Sequence, residues 1–236
     1  MSSIFKYNSS MNTKIKKQYD DFSETYSNNI NYDAMSNELF YQQIDFSLED
    51  KKLLDVGCGD GGDLNILKQK GAVVYGVEPS EEFINKARKQ NPTGIIKEGI
   101  AEKIPFSDEM FDVVISKWAL QTCENIPKAL SEIGRVLKKD GIFILLSKHP
   151  WMQWMEKVRD YGHGIDYYEQ KIVTSNIYEG KITLKEPSHT IGEYLNSEFF
   201  KNFEILNYEE RTDFPASEKI NNDIYPTFFI IKARKK

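Results

Sequence analysis

A doubly wound α/β fold is predicted by three features of this sequence. From residue 52 onward, apolar runs of strand length alternate with amphipathic helical segments, which is typical of a parallel sheet covered on both faces. The first of these runs ends in a glycine-rich turn that opens a helix. The segment 126–138 has one apolar face, and Gly141 follows the lysines that close it. These features predict a parallel sheet between two layers of helices.

The chain reads as one domain, 1–236, because it has no repeat of fixed period and no low-complexity linker. Residues 1–48 form an N-terminal helical cap, with Asn12 as the candidate cap of its first helix and a weaker helical pattern through Leu39 and Ile44. The core, 49–147, carries the predicted strands 53–56, 73–77, 94–97, 111–116 and 142–147 and the predicted helices 62–70, 81–90 and 126–138.

An insertion over 148–187 breaks this alternation with loop-like sequence rich in Tyr and Trp and with short β-rich runs such as 171–177. Insertions of this size after a core strand are usually functional. The last zone, 188–236, begins with a capping box at Thr190 and Glu193 before a single predicted helix that reaches Phe199. Two final strands are predicted at 203–208 and 227–232.

Composition and charge exclude several classes of protein. With 40% hydrophobic and 28% charged residues, the 236-residue chain fits neither a disordered nor a membrane protein. Its apolar stretches reach six or so residues, against roughly 20 for a membrane span, and no secretory signal follows the first lysines. A net charge of −5 disfavours nucleic acid as a partner. We expect a soluble, cytoplasmic protein, and the oligomeric state stays open.

Metal and disulfide chemistry are also disfavoured. Cys58 and Cys123 are too few for a disulfide framework or a four-ligand zinc site, and no cluster of His, Cys and carboxylates has ligand spacing. We therefore expect two reduced cysteines and no metal.

The glycine turn points to a nucleotide-like ligand at the carboxyl edge of the sheet. Gly57, Gly59 and Gly62 satisfy G-x-G-x-x-G, a pattern that fits a nicotinamide dehydrogenase equally well. Asp55 argues against a nicotinamide dinucleotide as the ligand, because a dinucleotide-binding fold normally has an apolar residue at this position. A buried carboxylate at this position would repel a pyrophosphate and attract a cation.

An ordered set of segments carries a family resemblance. They are Asp55-Val-Gly-Cys-Gly-Asp-Gly, Tyr75-Gly-Val-Glu-Pro-Ser, Gly99-Ile-Ala-Glu-Lys-Ile-Pro-Phe, Phe111-Asp-Val-Val-Ile-Ser, Trp118-Ala-Leu-Gln and Val136-Leu-Lys-Lys-Asp-Gly. From about Tyr19 to Gly141 the chain resembles the class I S-adenosylmethionine-dependent methyltransferases, small-molecule type 11 branch. The resemblance implies a seven-stranded, mainly parallel sheet with the last strand antiparallel. It also implies S-adenosyl-L-methionine as cofactor and methyl transfer by in-line displacement to O, N or C of a small acceptor.

The same resemblance implies where the cofactor binds. Glu78 would accept hydrogen bonds from both ribose hydroxyls, and the glycine turn would hold the methionine part. The chain departs from the family at Ile100, where a carboxylate commonly accepts the adenine amino group, so Glu102, backbone or water would have to replace it. The predicted cofactor-binding residues are Asp55, Gly57, Gly59, Glu78, Pro79, Ala101, Glu102, Ser116 and Trp118.

Methyl transfer asks for little acid–base catalysis, since orientation and desolvation can supply much of the barrier reduction. If the acceptor is a hydroxyl or an ammonium, a base must take a proton, and His149 is the first candidate because it directly follows the fifth strand. Tyr19 resembles a tyrosine that related enzymes fold over the sulfonium, although it also lies on the apolar stripe of its helix.

Aromatic residues of the insertion are the predicted substrate cap. A satellite core beneath a long loop is the other interpretation of the same residues. They are Trp151, Trp154, Tyr161 and Tyr168, together with Tyr167.

Rival functions stay open at this point. They are methylation of a carrier-protein-bound acyl group or of tRNA, and cofactor binding without turnover, to which the departure at Ile100 gives some weight. A nicotinamide oxidoreductase would need a catalytic Tyr-Lys or Cys/His set, and neither is visible.

Overall fold

Seven strands form one sheet in the order β3-β2-β1-β4-β5-β9-β8. The computed structural model describes residues 9–28, 34–178, 180–212 and 225–236. Strands β1 to β5 pair in parallel, and β9 runs antiparallel to both of its neighbours. The strands are β1 Lys52–Val56, β2 Val73–Glu78, β3 Ile95–Glu98, β4 Phe111–Lys117, β5 Leu137–Lys148, β8 Phe203–Arg211 and β9 Phe228–Lys235. The predicted fold class, including the antiparallel last strand, is confirmed.

Helices cover both faces of this sheet. One buried cluster joins the sheet to α5 and α8, and the other joins it to α2, α3 and α4. The helices are α1 Ser9–Asn28, α2 Ala34–Gln42, α3 Gly62–Gln69, α4 Glu81–Gln90, α5 Ile126–Val136, α6 Pro150–Tyr161, α7 Ile191–Tyr194 and α8 Ser197–Asn202. Ser80 caps α4 and Asn125 caps α5 through side-chain oxygens that accept backbone N–H groups.

The structure corrects three local predictions. The insertion contains a helix, α6, where loop-like sequence was expected, and the ring of His149 caps it by accepting the N–H of Trp151. The single helix predicted after Thr190 is two short ones, because Asn196 interrupts it and caps α8. Asn12 lies inside α1, which begins at Ser9, and is therefore not its cap.

The rest of the insertion is a hairpin that packs against α1. Strands β6 (Ile172–Ile177) and β7 (Ile182–Pro187) pair antiparallel as a sheet of their own. The amide of Gln18 bonds to both backbone groups of Lys185, at 2.7 and 3.1 Å. An apolar cluster joins Tyr178 and Leu184 of the hairpin region to Tyr19 of α1. Together, α1 and the hairpin cover the carboxyl edge of the sheet.

No helix within the described ranges is both long and apolar enough to cross a membrane.

Candidate functional site

A cavity of about 220 Å³ opens at the carboxyl edge of the sheet, beneath α1 and the β6–β7 hairpin. This edge is where parallel α/β sheets bind their ligands. One half, the glycine-turn half, is lined by Gly57, Gly59, Asp63, Glu78, Pro79, Phe83, Lys117 and Trp118. The other half, the hairpin half, is lined by Gln121, Thr122, Lys148, Ser175, Ile177, Tyr178, Leu184 and Glu186. Tyr19 and Tyr26 of α1 lie over the cavity.

The glycine turn brings backbone to the cavity wall. Gly57 has φ +82°, and a Cβ there would lie 2.3 Å from the Cβ of Ala119, so only glycine lets the loop after β4 approach this closely. Gly59 has φ +52°, and a Cβ there would have no neighbour within 4 Å. Because Gly59 lines the cavity, a side chain at that position would enter the space that a ligand needs.

Glu78 ends β2 as a buried carboxylate on the cavity wall, with 5% of its surface exposed. Its two oxygens accept the backbone N–H groups of Gly59, at 3.1 Å, and of Ser80, at 3.0 Å. Burial raises the pKa of Glu78 to about 7, although both N–H groups act in the opposite direction. A carboxylate offers about four lone-pair sites, so two more donors can be accepted. The pair of hydroxyls on a ribose fits that capacity.

Two carboxylates and one lysine lie beside the glycine turn. Asp63 lines the cavity and bonds to Lys117 Nζ at 2.7 Å and to the hydroxyl of Tyr41. Asp55 is buried behind the turn, and its Oδ1 has no hydrogen-bond partner within the described part of the chain. Burial, and then the charge of Asp63, raise the pKa of Asp55, while Lys117 lowers it. The protonated form of Asp55 is therefore favoured in the ligand-free protein, and a cation bound nearby would favour its ionised form.

Three of the residues predicted to bind the cofactor have structural partners instead of a place on the cavity wall. Glu102 accepts the N–H groups of Glu124 and Asn125 at 3.0 and 3.3 Å, which fixes the loop before α5. The hydroxyl of Ser116 donates to the carbonyl of Val56 at 2.9 Å. Ala101 packs in the core. Their contacts with adenine stay predictions that this geometry does not support.

Tyr19 and Trp118 do lie on the cavity wall. Tyr19 packs against Tyr26, with ring centroids 5.6 Å apart, and against Phe83 at 6.3 Å. Burial raises the pKa of the Tyr19 hydroxyl, so the phenol stays protonated. Trp118 has φ +56°, and its backbone N–H donates to the carbonyl of Leu146 at 2.9 Å. This hydrogen bond fixes the backbone of Trp118 at the end of β4.

His149 does not line the cavity. Its Nε2 lies 2.9 Å from Glu210 Oε1, and its Nδ1 accepts the N–H of Trp151 at 3.0 Å. Burial lowers the pKa of His149, against the effect of Glu210. Because both ring nitrogens are engaged, the geometry supports His149 as a helix cap, and its role as a base stays a prediction.

The predicted aromatic substrate residues lie on the outer side of the insertion. Trp151, Tyr161 and Tyr168 are 47%, 51% and 82% exposed. Trp154 packs against Tyr167, with ring centroids 5.6 Å apart. The cavity wall includes none of these residues, and three of them are too exposed to form a buried satellite core, so their role as a substrate cap stays a prediction.

Sequence reasoning missed the polar wall of the hairpin half. Lys148, Ser175 and Glu186 are buried together, and Lys148 Nζ donates to Glu186 Oε1 at 2.6 Å and to the hydroxyl of Ser175. The position of Lys148 at the end of the fifth predicted strand could have indicated it. Ser175 and Glu186 gave no such signal, because the pairing of β6 with β7 was not predicted.

Comparison with known proteins agrees with this geometry. Residues 54–145 match the model of a methyltransferase domain family, type 11. The chain is 40% identical to a demethylmenaquinone methyltransferase of Chlorobaculum parvum over 92 residues, 38% of each chain. It is 33% identical to a malonyl-[acyl-carrier protein] O-methyltransferase of Pectobacterium atrosepticum over 91 residues, 39% of this chain and 36% of that one. The chain thus spans little more than a third of the length of these relatives.

The fold is shared with solved structures. The crystal structure of a candidate S-adenosylmethionine-dependent methyltransferase from Listeria monocytogenes aligns with a TM-score of 0.69 at 21% identity, over 86% of this chain and 97% of that one. At this identity the likeness shows that the chain shares its fold with that methyltransferase. Its core, residues 54–145, is similar to the type 11 methyltransferase domain family.

Proposed function

We propose that this protein transfers a methyl group from S-adenosylmethionine to O, N or C of a small-molecule acceptor. The observation that carries the proposal is Glu78. Its carboxylate stands at the end of β2 on the cavity wall, held by two backbone N–H groups, with lone pairs left for a ribose. This is the acceptor that a nucleoside needs at the point where α/β sheets bind ligands.

The glycine-turn half of the cavity fits the rest of the cofactor. The open space at Gly59 admits ligand against backbone, and Asp63 lines the cavity as a carboxylate paired with Lys117. A bound cation would favour the ionised form of Asp55 behind the turn. S-adenosylmethionine supplies an activated methyl group on a sulfonium with a neutral leaving group. In this proposal Gly57, Gly59, Glu78, Pro79 and Trp118 bind it, and Asp55 acts through the field at the turn.

The hairpin half would receive the acceptor. Tyr19 and Tyr26 cover the cavity from α1, and Tyr178 and Leu184 cover it from the hairpin. This cover would exclude water and hold the acceptor in line. Orientation of this kind can supply about 7–11 kcal/mol of barrier reduction without a catalytic side chain.

A small acceptor fits this arrangement better than a macromolecular one. The Chlorobaculum relative is named for demethylmenaquinone and the Pectobacterium relative for an acyl group on a carrier protein. The hairpin half of this cavity, which would receive the acceptor, lies under α1 and the hairpin, and this cover supports a small acceptor.

Calorimetry with S-adenosylhomocysteine tests the proposal. Changing Glu78 to Ala removes an ionised hydrogen-bond acceptor worth about 1.5–3 kcal/mol, so affinity should fall roughly 10- to 150-fold. Glu98→Ala is the matched control. Glu98 ends the next strand in register with Glu78, but its side chain is 68% exposed and pairs with Lys16. Equal affinity in native protein and Glu78→Ala would contradict the ribose assignment.

A further inference from the structure

The hairpin half of the cavity ends in a buried group of charges, here called the Lys148 cluster: Lys148, Glu156, Ser175 and Glu186. Lys148 Nζ lies 2.6 Å from Glu186 Oε1, 3.1 and 3.3 Å from the two oxygens of Glu156, and within hydrogen-bond distance of Ser175 Oγ. These residues come from β5, α6, β6 and β7, and all four are buried. The cluster therefore joins the insertion to the sheet edge.

The Lys148 cluster presents a carboxylate acceptor to the cavity and no free ammonium donor. An ammonium has three N–H donors, and Glu186, Glu156 and Ser175 take all three. Two carboxylates against one lysine leave an excess of negative charge when both are ionised. Glu186 lines the cavity, whereas Glu156 does not. A ligand in the hairpin half thus meets the carboxylate of Glu186.

The surroundings of Glu186 are aromatic and negative in sum. Tyr26 lies between Tyr19 and Tyr178, with ring centroids 5.6 and 5.5 Å away. Aromatic faces attract cations. The ionisable side chains on the cavity wall, tyrosines and the buried thiol aside, are Asp60, Asp63, Glu78 and Glu186 against Lys117 and Lys148. A carboxylate ligand would be repelled here, and a cation attached to an apolar group would be favoured.

We infer that the methyl acceptor is an amine carried on an apolar or aromatic group, and that Glu186 is the specificity-determining residue that binds its ammonium. Because an ammonium has no lone pair, one proton would first pass from the nitrogen to the Glu186 carboxylate. The free amine would then form the N–C bond as the S–C bond of the sulfonium breaks and S-adenosylhomocysteine leaves. This inference rests on the proposed function and selects nitrogen among the possible acceptor atoms. Lys148 and Ser175 position Glu186, and Tyr19, Tyr26 and Tyr178 pack against the apolar part of the acceptor.

Calorimetry with three matched probes tests the inference. The probes are 2-phenylethylamine, 2-phenylethanol and 3-phenylpropionate, added at pH 7.5 to the full chain saturated with S-adenosylhomocysteine and to the protein alone. The amine should bind at least about 10-fold more tightly than the alcohol, because its ammonium gains a charged hydrogen bond to Glu186. The carboxylate probe should bind more weakly than both, because Glu186 repels it.

Two substitutions separate recognition from structure. Glu186→Gln should weaken amine binding about 10- to 100-fold and leave the alcohol unchanged. Glu156→Gln is the control, because Glu156 bonds to the same lysine and is equally buried but does not line the cavity. Burial raises the pKa of Glu156 to about 7, so a neutral side chain there is already populated, and the amine preference should persist.

Each outcome decides something. An amine that binds no better than the alcohol, or equal losses in Glu186→Gln and Glu156→Gln, would overturn the inference and make the cluster structural. The three probes on native protein give this decision even if Glu186→Gln does not fold. Failure of S-adenosylhomocysteine to bind would instead contradict the proposed function, while the amine series on the protein alone still tests Glu186.

Discussion

Replacing Glu78 with Gln should remove a pH-dependent loss of stability from the ligand-free protein while it weakens cofactor binding. Burial raises the pKa of Glu78 from its ordinary value of 4.5 to about 7. A raised acid pKa means that the folded state favours the protonated form. The stabilising contribution of Glu78 is therefore complete below pH 4.5 and is lost as the pH rises through about 7.

The magnitude follows from the two pKa values. Each unit of pKa corresponds to about 1.4 kcal/mol, so full ionisation of Glu78 in the folded protein costs roughly 3 kcal/mol, of which roughly 2.5 kcal/mol falls between pH 5 and pH 8.5. Gln does not titrate. The difference in unfolding free energy between Glu78→Gln and native protein should therefore grow by about 2–3 kcal/mol over that interval.

Urea denaturation at pH 5, 7 and 8.5 measures this difference, with Glu98→Gln as the control. Glu98 lies beside Glu78 in the sheet but is largely exposed. The difference in unfolding free energy between Glu98→Gln and native protein should therefore change little with pH. Cofactor binding should change with pH in the opposite direction to stability. S-adenosylhomocysteine needs the ionised carboxylate, so its affinity for native protein should be about 30-fold lower at pH 5.5 than at pH 8.5. If the difference in unfolding free energy between Glu78→Gln and native protein does not change with pH, the raised pKa of Glu78 is wrong.

Three further substitutions test other parts of the site. Gly59→Val should abolish binding of S-adenosylhomocysteine by calorimetry while the far-ultraviolet circular dichroism of the fold persists, because the side chain enters the cavity. Gly162→Val, at another positive φ (89°) outside the cavity wall, is the control, and normal binding to Gly59→Val would contradict the assignment of the glycine turn to the ligand. His149→Gln should change turnover less than about fivefold and lower the unfolding free energy by about 1 kcal/mol, because a helix cap is lost; a fall of about 100-fold or more, with loss of an acidic limb in the pH–rate profile, would restore His149 as the base. Lys148→Met should destabilise the protein by about 3–5 kcal/mol at pH 8.5 in urea denaturation, because two buried carboxylates lose their partner, whereas Lys138→Met, at a partly exposed pair with Asp112, should cost less than about 1 kcal/mol; similar small losses in both would contradict a buried cluster.

Local pattern was sufficient to locate the first five strands and the glycine-turn half of the site, whereas the family resemblance implied the seven-stranded arrangement. Apolar runs of strand length mark β1 to β5 along the chain. Because the carboxyl ends of parallel strands meet at one edge of a sheet, the glycine turn and Glu78 then come together. Asp55 could be singled out because a carboxylate is unusual where a strand enters such a turn. In each case the decisive information lies within a few residues of the chain.

The hairpin half could not be predicted in the same way. Gln18 meets Lys185, which is 167 residues away in the chain, and this contact helps place the hairpin over the sheet. No local sequence pattern in α1 or in β7 predicts this contact between Gln18 and Lys185. Lys148 looks like an ordinary charged residue after a strand, and its burial depends on Glu156 and Glu186 from two other elements.

The aromatic insertion misled for a related reason. Trp151, Tyr161 and Tyr168 suggest a substrate cap by composition alone, but α6 exposes the first two and the loop after it exposes Tyr168, all outside the cavity wall. His149 was selected because it follows the fifth strand, and the neighbouring Lys148 points into the site instead. On a strand, successive side chains face opposite sides, so one residue decides which of the two reaches the ligand.

A crystal structure of the full chain grown with S-adenosylhomocysteine would show directly whether Glu78 binds the ribose. We expect the ribose hydroxyls within hydrogen-bond distance of Glu78, the homocysteine part against Gly57 and Gly59, and the sulfur directed toward the hairpin half with Glu186 at its far wall. A nucleoside bound elsewhere, or seated in this cavity with Glu78 beyond hydrogen-bond distance of the ribose, would contradict it.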